Sequence, residues 1–172
     1  MVTKLYSYRF ELFLFTQLFI LFGSLVIPIN LFENWVMPVL ILLNIGAGIL
    51  LASKKKRLLT FLLVVLAIVT IAQAIESISR EIIPNLNYVK LVSYFVFYAI
   101  VTVEIISQVW STKKVGKNVI LGLIAGYISI GLIGFFLCIT IDLLHPNSFT
   151  MLVADANPAI EKTDQLMYFS YI

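Results

Sequence analysis

Apolar residues run along this chain in long blocks separated by short polar breaks, without the two-residue alternation of a half-buried strand. Five blocks approach or exceed the roughly 20 residues that a helix needs to cross the hydrocarbon core of a bilayer. They cover residues 10–29, 35–53, 58–75, 88–110 and 119–144. Pro28 marks the exit of the first, Pro38 falls in the first turn of the second, and Pro84 precedes the fourth. A proline in a first helical turn costs little, because the N–H it lacks would have no partner there. The last block is about 26 residues, or roughly 39 Å of helix, so it must tilt or protrude. The pattern predicts an all-α membrane protein of five transmembrane helices. A β-barrel is excluded, because it requires alternating segments of about ten residues.

Composition strengthens this picture. Of 172 residues, 61% are hydrophobic and 12% are charged, against about 45–50% and about 25% in a soluble domain. A chain this short cannot bury such an excess in one water-soluble core. The bilayer is therefore its expected partner. The formal charge of +3 is no sign of nucleic acid, because the basic residues sit between the apolar blocks and form no exposed patch. Residues 10–29 are followed directly by further spans with no small-residue cleavage site between, so they read as a first membrane helix and not as a signal peptide.

The basic residues set an orientation. With the N-terminus inside the cell, the inner segments carry Lys4, Arg9, residues 54–57, Lys113, Lys114 and Lys117. The outer segments carry only Arg80, Lys90 and Lys162. The expectation is a multi-pass protein of the cell membrane with a cytoplasmic N-terminus and residues 145–172 on the outer side. The basic run 54–57 reads as a topology anchor, with anionic lipid binding as an additional role.

Few residues offer chemistry. Glu104 is an ionisable group inside an apolar block, a functional candidate by default. Trp110 lies six residues further on, about 9 Å along the axis, so Glu104 can reach the inner interface or pair with Lys113 or Lys114. Gating or ion handling is the functional alternative. Gln17, Asn44 and Gln73 are expected to bond between helices. Asp142 and His145 are expected to be solvated at the outer end of the last helix. Cys138 is the single cysteine and His145 the single histidine, so no metal or disulfide framework arises. No cofactor is expected. The nucleophile elbow, the H-E-x-x-H helix, the P-loop and the dinucleotide fingerprint are all missing, so no enzyme is expected. Gly122 and Gly126 form a G-x-x-x-G pair, followed by Gly131 and Gly134, and predict close helix packing.

The end of the chain carries a resemblance. Asp164-Gln165-Leu166-Met167-Tyr168-Phe169-Ser170-Tyr171 follows an outward-running helix. It resembles the opening of the pore helix in the tetrameric potassium channel family, where an acidic residue, Leu and Tyr-Phe-Ser precede T-x-T-T-x-G-Y-G. The resemblance covers residues 113–172. It implies a four-helix transmembrane domain at 1–112 and an incomplete pore domain at 113–172, comprising outer helix, outer loop and pore-helix start. Thr163 or Asp164 would cap that short C-terminal helix. Leu166, Tyr168, Phe169 and Ser170 would complete the pore-helix match, and the aromatics would surround the filter. Potassium is the transported ion of a complete relative, and a homotetramer its assembly.

Two departures matter. The filter sequence, whose carbonyls replace potassium's hydration shell, and the inner helix are missing from residues 1–172, so the reading is of a subunit shortened before its filter and unable to conduct alone. Nor does the fourth helix carry arginines at every third position. Lys90 is its one basic residue, and no voltage sensing is expected. The alternative is a small multi-span protein serving as a scaffold or partner subunit.

Overall fold

The computed structural model describes residues 6, 8–28, 31–53, 55–79, 84–112, 115–145, 148–149 and 160–172. All regular structure among them is helical. Helix α1 (Arg9–Phe22) ends in a tight 3₁₀ turn, Gly23–Leu25. A π-helical turn, Phe32–Val36, leads into α2 (Met37–Ala52), which has Pro38 in its first turn. There follow α3 (Lys56–Ser79), α4 (Pro84–Trp110), α5 (Lys117–Leu144) and a short α6 (Ile160–Phe169).

The apolar blocks thus fold as helices, as their lack of alternation requires. Among the described residues, α3, α4 and α5 are each long and apolar enough to cross a membrane, and α2 is a shorter apolar helix. By rise per residue they span roughly 36, 40 and 42 Å. The cap expected at Thr163 or Asp164 lies elsewhere, since α6 already begins at Ile160. No Gly or Pro separates residues 160 and 163, so nothing stops the helix from starting a turn earlier.

Side-chain contacts fix the helix directions. Glu11 at the start of α1 pairs with Lys117 at the start of α5, at 3.1 Å. Lys55, just before α3, pairs with Glu104 in the last turns of α4. At the opposite end Glu76 of α3 pairs with Lys90 of α4, and Tyr88 of α4 donates to the Leu143 carbonyl of α5. The helices alternate in direction. One end gathers Arg9, Lys55, Lys56, Arg57 and Lys117, and Lys90 lies towards the other.

The core runs through the bundle as one cluster, with Phe13, Ile45, Phe97, Tyr98, Leu132 and Phe135 fully enclosed. Helix α5 packs on both α1 and α4, and α2 also touches α4. That last approach depends on Gly48, where the Phe97 ring occupies the space a side chain would need. The outward faces stay apolar, with Phe15, Leu43, Ile71, Leu123 and Tyr127 all more than half exposed. Soluble monomers rarely present so wide an apolar surface. Trp35 and Trp110 project near opposite ends of the bundle, as aromatic residues do at the two membrane–water boundaries.

Candidate functional site

Polar groups inside the bundle form one central set and one towards each end, and the end of the chain adds a fourth near the middle of α5. Asn44 is the hub of the central set and is fully buried. Its side-chain amide donates to the Phe13 carbonyl at 3.1 Å and to the Thr16 hydroxyl at 2.7 Å. Its oxygen accepts from the Tyr98 hydroxyl at 2.7 Å. One side chain on α2 therefore ties α1 to α4. Nearby, Gln17 of α1 donates to the Ser129 hydroxyl of α5 at 2.7 Å. Towards the other end, Gln73 of α3 donates to the Tyr94 hydroxyl of α4 at 3.1 Å. All three amides singled out from the sequence bond between helices, although the buried Gln17 Oε1 has no partner among the described residues.

Glu104 belongs to the basic end. Its carboxylate accepts from Lys55 at 2.6 Å and from Gln108 at 2.9 Å. Gln108 also donates to the Leu51 carbonyl at 2.8 Å and accepts from Arg9 at 3.4 Å. At the basic end of the bundle, α1, α2, α4 and the turn before α3 are thereby laced together. Lys113 and Lys114, the partners expected from proximity in sequence, lie outside the described residues, and the partner found comes from the turn before α3. The two ends of this pair differ in exposure: the Glu104 side chain is 9% exposed and that of Lys55 57%. Solvent screens the Lys55 end, so the contribution of the pair comes from satisfying Glu104. Gln108 escaped the sequence reading, although its place four residues after Glu104 puts it on the same helix face.

The fourth set is built by the end of the chain. Ser170 lies against Gly134, and the Tyr171 ring fills the space beside Gly131. The Tyr171 hydroxyl donates to the Ile128 carbonyl at 2.7 Å, and its ring faces Tyr127. Leu166 and Met167 are buried. Phe169 meets Phe149, Tyr168 and Phe169 remain about half exposed, and the Asp164 side chain lies outside the described residues. Ile128 stands sixteen residues before Leu144, so the chain has come back roughly 24 Å along α5 from where that helix ended.

The four glycines of α5 thus divide. Gly122 faces Val109 of α4 and Phe10 of α1, and Gly126 faces Ile105 of α4. Gly131 and Gly134 face the returning chain. His145 is exposed at the end of α5. No group of three metal-ligating side chains occurs among the described residues. Comparison of the chain with protein-family models, curated proteins and solved structures finds no match.

Proposed function

We propose that this chain crosses the membrane five times, with its basic end in the cytoplasm, and forms the frame of a potassium-channel-like subunit. In this reading α5 is the outer helix of a pore module and α6 its pore-helix-like element. The observation that carries it is the return of the chain: Ser170 and Tyr171 seat on Gly134 and Gly131, near the middle of α5. A polar-ended segment that re-enters to mid-helix depth is tolerated in a bilayer where it is buried in protein or lines a water-filled cavity. The five-span count is supported by the π turn joined to α2, which extends that helix back to residue 31. Residues 31–52 then cover roughly 33 Å. Helix α1 with its 3₁₀ turn covers residues 9–25.

Residues 1–172 contain no filter sequence, so conduction belongs to an assembly that supplies one, with four copies around the pore. Lys90 alone among the α4 residues is basic, and a voltage response is not part of the proposal. The test is a chimera in which a potassium-channel filter and inner helix follow Ile172. Potassium-selective flux into liposomes is the expected result, with residues 1–172 alone at background. A folded chimera that stays at background defeats the pore reading.

A second reading, a scaffold or partner subunit, is favoured by the packing of α5 against both α1 and α4, which closes the bundle on itself. Labelling bears on the return of the chain itself. In a Cys138→Ser background, single cysteines at Thr163, Tyr168 and Ile172 are expected to react progressively less with an impermeant maleimide from outside. Uniform reactivity would mean a surface-lying tail.

A further inference from the structure

Between α3 and α4, at the basic end, an open groove of about 920 Å³ runs along the bundle surface. Ligand sites occupy roughly 300–1,000 Å³. Its walls are apolar: Leu58 and Phe61 from α3, and Ala99, Ile100 and Val103 from α4. Its rim is charged, with Lys55, Lys56 and Arg57 on one side and Glu104 on the other.

The rim charges are unevenly used. Lys55 is held by Glu104, whereas Lys56 and Arg57 are exposed and enter no ion pair among the described residues. They also stand in the first turn of α3, where the helix macrodipole is positive and a basic side chain is disfavoured. The unpaired amides of a helix start favour an anion at the same place. The two basic side chains and the helix end therefore all call for a negative partner. The groove that opens beside them calls for hydrocarbon.

We propose that this groove is a binding site for an anionic phospholipid of the inner leaflet. Its phosphate sits on Lys56, Arg57 and the start of α3, and an acyl chain lies between Phe61 and Val103. Lys55 stays with Glu104, leaving the rim two positive charges in excess, which suits an acidic headgroup over a zwitterionic one. Long basic side chains are built for this arrangement, with stems on the apolar wall and heads at the interface. The proposal rests on the membrane reading and is independent of any pore.

The test is native mass spectrometry of the full chain released from nanodiscs containing equal phosphatidylglycerol and phosphatidylcholine. Phosphatidylglycerol is expected to be retained roughly thirtyfold over phosphatidylcholine, the fold-change for two basic side chains at about 1 kcal/mol each. Replacing both by Lys56→Gln and Arg57→Gln is expected to erase that preference, and neither exposed change disturbs packing. Ala99→Phe fills the groove without touching charge and is expected to lower retention of the lipid. Millimolar inorganic phosphate is expected to leave the adduct in place. Equal retention of the two lipids overturns the proposal, as does indifference to the glutamine pair or to Ala99→Phe. Displacement by free phosphate, or a lipid-free dimer in which a second copy fills the groove, overturns it equally.

Discussion

The two halves of α5 carry the same small residue and use it for different ends. In the N-terminal half, Gly122 and Gly126 bring α5 up to its neighbours in the bundle, with Val109, Phe10 and Ile105 seated against them. In the C-terminal half, the nearest neighbours of Gly131 and Gly134 are Tyr171 and Ser170, among the last residues of the chain. The lesson is that a run of small residues records a close approach without naming who approaches. An identical spacing signal can serve a permanent interface and the seat of a returning segment.

Substitution can separate the two halves. The largest effect is expected from Gly131→Leu, because the Tyr171 ring already fills that space. Overpacking alone costs typically 1–3 kcal/mol, and here the docked tyrosine and its hydrogen bond are displaced as well. Cysteines introduced at Tyr168 and Ile172 are expected to become reactive while the unfolding midpoint of the bundle changes little. If they stay protected, the returning segment is not anchored at Gly131. Gly122→Leu is expected to do the reverse, lowering the thermal midpoint through an overpacking cost of about 1–3 kcal/mol while residues 168 and 172 keep their protection.

Tyr171→Phe comes next. It removes one hydrogen bond to the Ile128 carbonyl and keeps the ring, so docking is expected to weaken by about 1 kcal/mol, seen as a modest rise in labelling at Ile172. The smallest effect is expected from Gly126→Ala. A methyl group there meets Ile105 at 3.6 Å, an ordinary contact, and replacing Gly inside a helix removes a cost of roughly 0.5–1 kcal/mol. A slightly raised midpoint is the expected reading, and a fall like that of Gly122→Leu would erase the distinction between Gly122 and Gly126.

Much of the bundle is legible in the sequence, because apolar runs without alternation leave the chain few options besides helices. The roles of Gln17, Asn44 and Gln73 are legible for the same reason: an amide inside such a run has to bond to another helix. Partners are harder to read. Glu104 pairs with Lys55, forty-nine residues away, and no local spacing rule selects it over Lys113 or Lys114. The start of α6 is also hidden, since Thr163 and Asp164 look like caps although the helix begins at Ile160. Least legible is the division of the α5 glycines, which depends on where the rest of the chain goes. The groove beside α3 belongs to the same category, for its two walls are joined only when α4 comes back alongside.

Asn44 has a consequence for the order of assembly. Its amide is satisfied by Phe13 and Thr16, residues already made when α2 leaves the ribosome, whereas its oxygen waits for Tyr98. On the proposed five-span topology the first hairpin would enter the bilayer carrying an acceptor whose only described donor is more than fifty residues from being synthesised, and an unsatisfied group in hydrocarbon is costly. Arrival of α4 acts as a lock that closes on the finished bundle. Ribosome-arrested chains should report this directly: α1 and α2 are expected to be held loosely, and to crosslink to insertion factors, until residue 98 has entered the membrane, and to be released from them afterwards.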